Sequence, residues 1–162
     1  MTRNCKRLKG VTVFGAIGIA LPGMVFQLAK STNTDDFIRF LKFLRSKSGV
    51  SRDKTLYLVI DNHSAHKSER ALDAMERLSF REVFMPTYSP EFNCIETLWG
   101  VTKKRVREKL LHSTHELDKA DFNALLKNVH RKVDWDLCDK IATTANRDYI
   151  YQHLSKSKPD LK

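Results

Sequence analysis

Apolar residues recur along this chain with two different periods, and the switches between them mark out its elements. Residues 11–19, from Val11 to Ile19, are mostly β-branched or apolar and predict a buried strand. Leu21, Pro22 and Gly23 are a turn signal, and Met24 to Ala29 predicts a second strand, so the two read as a hairpin. Between Ser31 and Gly49 the period lengthens to that of a helix, with Phe37, Phe40, Leu41 and Leu44 on one stripe. Thr34 is the predicted N-cap; Asp35 and Asp36 follow in the first turn, and Lys42, Arg45 and Lys47 come late, where the helix dipole favours cations. Thr55 to Asp61 is an apolar run that predicts a strand buried on both faces in the middle of a sheet. Ser68 to Leu78 predicts an amphipathic helix with Leu72, Met75 and Leu78 inward. Phe80 to Pro86 predicts another strand, Thr87 to Asn93 a loop, and Ile95 to Leu111 a helix. Two further helices are expected, one opened by the capping box of Ser113 and Glu116 and one from about Trp135 to Leu154. The order of strands and helices is that of an α/β fold with a mixed sheet.

Composition narrows the picture. No run approaches the roughly 20 apolar residues of a membrane helix. The greasiest stretch is broken by Gly15, Gly18, Pro22 and Gly23, and it lacks the cleavage site of a secretory signal. Cys5, Cys94 and Cys138 are odd in number and far apart, which argues against a disulfide framework or a zinc ribbon and for reduced thiols inside the cell. The net charge of +10 is the strongest global signal, because so basic a chain attracts polyanions, nucleic acid above all. No membrane association and no small-molecule cofactor are expected.

Two carboxylates stand out against this background. Asp61 closes the apolar run and Glu96 opens the later helix; thirty-four residues lie between them, enough for one helix and one strand that return the chain to the same sheet edge. Acids brought that close repel unless a cation lies between them. Hard oxygen ligands point to Mg²⁺ or Mn²⁺. Along the helix Glu96, Gly100, Lys103 and Arg107 share one stripe, while Ile95, Leu98, Trp99, Thr102 and Val106 cover the other side. Lys103 and Arg107, flanked by Lys104 and Arg105, are therefore expected to contact phosphates of double-stranded DNA. Taken singly, Asp61 could cap a helix and Glu96 could be an ordinary first-turn glutamate; the pairing is what favours metal. His63 and His66 have H-x-x-H spacing, repeated by His112 and His115, but zinc lacks third and fourth ligands with suitable spacing.

The segments Leu58–His66 (LVIDNHSAH) and Met85–Val106 (MPTYSPEFNCIETLWGVTKKRV) resemble the DDE transposases of the mariner-like superfamily, over roughly Val11 to Arg107. The resemblance implies a ribonuclease-H-like α/β fold and DNA transposition: metal-dependent cleavage of a phosphodiester, then attack of the freed 3′-hydroxyl on target DNA. It implies that Asp61 is the second catalytic aspartate and Glu96 the closing glutamate, both ligating Mg²⁺ or Mn²⁺. Asn62, Ser89, Pro90, Asn93 and Trp99 fall on characteristic positions of that family, and Asn62, His66 and Asn93 are expected at the rim of the active site. Trp99 is read as core. Cys94 stands where the family usually has proline.

A third acid, on a strand before the hairpin, belongs to the family pattern. Met1 to Lys9 contains no acid, and the first in the chain, Asp35, reads as a helix-start residue. The expectation is thus a mixed sheet without its first strand, an incomplete core over residues 1–112 and a helical extension over 113–162. Two-metal phosphoryl transfer needs ions about 3.5–4 Å apart, bridged by a shared ligand. With two acids the chain is expected to be inert by itself. The alternative is a non-catalytic DNA-binding or transposase-interacting remnant, with a second copy or a full-length transposase as partner. Either reading places the protein inside the cell, on DNA.

Overall fold

The computed structural model describes residues 12–18, 20–21, 23–87, 93–111 and 119–131. The capping box at Ser113 and Glu116, Ser89 and Pro90, His112 and His115, and the helix expected from Trp135 lie outside the described residues. The expected hairpin is present. Strand β1 (Thr12–Ala16) pairs antiparallel with β2 (Val25–Ala29), in a register that sets Thr12 opposite Ala29 and Ala16 opposite Val25.

Helix α1 (Thr34–Lys47) follows, and its true N-cap lies one residue earlier than expected. Asn33 accepts a hydrogen bond from the Asp36 backbone N–H at 2.8 Å, which satisfies a donor that the first turn would otherwise leave unpaired. Asp36 is itself buried, held by the Ser31 backbone N–H and hydroxyl and by Arg39. Desolvation would push its carboxyl up, but these donors together hold it below the ordinary carboxylate range. Arg45 lies in the last turn as expected, and its burial adds to that reading. It is buried, its Nη2 donates to the carbonyls of Ser51 and Lys54, both at 2.9 Å, and its guanidinium lies over the Phe80 ring.

Strand β3 (Leu56–Ile60) leads through a one-turn helix, α2 (Ser64–Lys67), into α3 (Glu69–Arg77) and then β4 (Phe80–Phe84). β3 and β4 pair in parallel, Leu56 opposite Phe80 and Ile60 opposite Phe84, the arrangement a helical crossover imposes. Helix α2 was not foreseen; Ser68 ends it and caps α3 by accepting from the Ala71 N–H. Ser79, at φ 54°, makes the turn from α3 into β4, and its carbonyl accepts from the N–H of Leu56 at the start of β3.

One core joins these parts. Phe37, Phe40, Leu41 and Leu44 of α1 pack with Val25, Ile60, Ala71, Met75 and Phe80, and Phe14 of β1 stacks on Phe40 at 5.6 Å. Helix α1 therefore spans the two strand pairs. Among the described residues those pairs are separate two-stranded sheets, β1–β2 and β3–β4. The expectation that β3 is buried on both faces is corrected, since Tyr57 is 52% exposed, and among the described residues β3 pairs with β4 alone. Helix α4 (Cys94–Leu111) carries Ile95, Leu98 and Thr102 on its buried side, and α5 (Lys119–Arg131) packs against it through a face that includes buried Leu125 and Leu126.

Candidate active site

Asp61 is the first residue beyond β3, at the point where the apolar run must surface. One of its oxygens, Oδ1, accepts two hydrogen bonds, from the His63 backbone N–H at 3.0 Å and from His66 Nδ1 at 2.8 Å. The first closes an Asx-type turn ahead of α2, but Asp61 is not the cap of that helix. His63 itself caps α2, accepting from the Ala65 N–H through Nδ1. His66 is held by a ring contact with Phe37 at 4.2 Å between centroids. With Asp61 ionised and able only to accept, His66 Nδ1 is the donor of this hydrogen bond. The His66 hydrogen bond is the main reason the Asp61 carboxyl sits below the ordinary carboxylate range, against the opposing effect of partial desolvation.

Glu96 lies in the first turn of α4, where the dipole favours an acid, and its side chain is exposed. Its backbone N–H bonds the carbonyl of Asn93 at 2.9 Å, fixing the entry into the helix. One turn further on, Trp99 lays its ring against β1 at Gly15. A Cβ added at Gly15 would come within 2.7 Å of Trp99 Cζ2, so the missing side chain is what lets α4 approach the strand.

Both carboxylates line one cavity of about 680 Å³, with His63, His66, Asn93, Cys94 and Trp99. Two residues of the expected rim, His66 and Asn93, are thus brought together with Asp61 and Glu96. Asn62 is not among the lining residues; its side-chain amide donates to the Met85 carbonyl and ties the end of β3 to the residue after β4. Trp99 is half-buried and lines the cavity, so it is core and wall at once. Among the described residues no three His, Cys, Asp or Glu side chains converge as metal ligands. On α4 the side chains of Lys103, Lys104 and Arg107 are exposed, and that of Arg105 is half-buried. The contacts at Gly15 and the cap at His63 were missed in the sequence; a glycine inside a strand pattern is a signal for the former, while nothing local announced the latter.

The fold is mixed α/β, with two acids gathered at one cavity and a basic helix face leading away from it. The chain belongs to the DDE superfamily endonuclease family, whose model matches residues 2–132 and so continues past position 112 into α5. It is also similar to an uncharacterized 39 kDa protein of insertion element IS630 from Shigella sonnei, with 41% identity over 64 residues. That match covers 39% of this chain and 18% of the relative, so the shared stretch is a small part of the relative's length. No helix among the described residues is long and apolar enough to cross a membrane.

Proposed function

We propose that this chain is a portion of the catalytic core of a DNA transposase, of the mariner-like kind and ribonuclease-H-like fold. One observation carries the reading: the strand end at Asp61 and the helix start at Glu96, far apart in sequence, line the same cavity. The resemblance to an insertion-element protein supports it.

The donor set fits a hard divalent cation. Carboxylate oxygens suit Mg²⁺ or Mn²⁺. Both hydrogen bonds to Asp61 fall on Oδ1, and the exposed Glu96 side chain reaches the same cavity. Asp61 and Glu96 would hold the ion, which would supply charge stabilisation and an activated water for phosphodiester cleavage. His66 orients Asp61. Lys103, Lys104 and Arg107 would hold the DNA backbone, contacts that are blind to base sequence.

Two acids hold one ion, and among the described residues no third ligand joins them as a two-ion site requires. The isolated chain is therefore expected to be inert, and it would act as a DNA-associated or transposase-associated module. The exposed cations of α4 favour this second reading as much as the first. Incubation with Mn²⁺ and supercoiled plasmid should leave the plasmid intact. Efficient nicking that disappears in Asp61→Asn would restore the full catalytic reading; the same nicking in Asp61→Asn and Glu96→Gln would remove the site assignment altogether.

A further inference from the structure

We infer that the neutral imidazole of His63 donates a hydrogen bond from Nε2 to a phosphate oxygen of a DNA backbone, a contact that rests on the proposed transposase reading and adds a residue to it. The tautomer is fixed locally. The Ala65 backbone N–H, which can only donate, lies 3.2 Å from His63 Nδ1. Nδ1 is therefore the bare, accepting nitrogen, and a neutral ring then carries its one proton on Nε2. The same bond closes the other role an imidazole could take beside an acid. Nδ1 is occupied and Nε2 is protonated, so neither nitrogen offers a lone pair to a metal ion.

The ring is held where a bound backbone would meet it. His63 is exposed, and its own N–H donates to Asp61 Oδ1 at 3.0 Å. Its ring centroid lies 5.4 Å from that of His66, whose Nδ1 bonds the same oxygen. The turn at Asp61 and the cap at Ala65 thus fix the residue from both sides, and the donor stands in one place beside the carboxylate. Charge decides why a neutral donor suits that place. Two carboxylates repel a phosphate, and a fixed cation there would pair with Asp61 and compete with a bound ion for it. A neutral N–H attracts a phosphate oxygen without forming that ion pair. Lys103 and Arg107 would hold the backbone by charge, and His63 would add direction.

Fluorescence anisotropy of a short labelled DNA duplex, in Mg²⁺ buffer over a series of salt concentrations, compares the full chain with His63→Asn and His63→Ala. Asparagine is a strong N-cap, so His63→Asn keeps the bond to Ala65 and the parent Tm, but its amide stops short of where Nε2 stands. Alanine removes cap and donor together. Both variants should bind the duplex about three- to tenfold more weakly than the parent. The log–log salt slope should stay that of the parent, because a neutral donor releases no counterion. Imidazole nitrogen NMR of the free chain at about pH 8 should show His63 protonated on Nε2 and bare on Nδ1. Parent-like affinity in His63→Asn would overturn the inference and leave the proposed function standing. A shallower slope in His63→Asn would make the contact a charged one, and weaker Mn²⁺ binding would make His63 a metal ligand; either result also overturns it. A parent chain that binds no duplex would overturn the DNA-holding reading and this contact together.

Discussion

At the scale of single residues, the chemistry of this protein turns on how Asp61 is held. Its carboxyl lies below the ordinary range because His66 donates to it, so its stabilising contribution is present above that range and fades as pH falls through the lowered value. Asp61 is 55% exposed, which limits that contribution to the order of 0.2–1 kcal/mol. A carboxyl NMR titration should place Asp61 below an aspartate in an unstructured peptide, and His66→Ala should move its midpoint up. Arg45 illustrates the opposite case, a cation turned inward. Removing its two carbonyl contacts in Arg45→Met should cost about 2 kcal/mol, read as a lower denaturant midpoint with an unchanged slope.

At the scale of elements, the approach of α4 to β1 matters most, because it brings Glu96 to the cavity. That approach depends on the bare backbone of Gly15 under the Trp99 ring. In Gly15→Val the new side chain must displace the indole and the start of α4 with it. A loss of about 1–3 kcal/mol is expected from overpacking, seen as a lower Tm, together with weaker Mn²⁺ binding by calorimetry than in the parent chain. An unchanged Tm would mean that the helix reaches its place by other contacts. The helix faces themselves were readable: of the residues assigned to the inner side of α4, Ile95, Leu98 and Thr102 are buried and Trp99 and Val106 half-buried, while Glu96, Lys103 and Arg107 are exposed.

At the scale of the whole molecule, charge and sheet edges decide behaviour. The net charge of +10 should give sequence-independent binding to duplex DNA whose affinity falls linearly in log–log terms with salt. Replacing both Lys103 and Arg107 with alanine should lower affinity uniformly across sequences and reduce the slope by about 1.8 units for two phosphate contacts, measurable by fluorescence anisotropy. An unchanged slope would take α4 out of the interface. Among the described residues the two strand pairs are separate, and the core that α1 carries links them.

The hairpin, the helical stripe of α1, the strand character of β3 and β4, and the candidacy of Asp61 and Glu96 all followed from sequence. Periodicity and local residue chemistry encode those features within a few turns of chain. Other features depended on residues distant in sequence: Arg45 became an interior residue because Phe80 and the carbonyls of Ser51 and Lys54 close over it. Asn62 faces Met85 rather than the cavity because β4 runs beside β3. Among the described residues β1 and β3 each pair on one edge, and edge pairing is settled by which strands meet in space. A side chain's own period tells it which way to face, but only the assembled fold supplies what it faces.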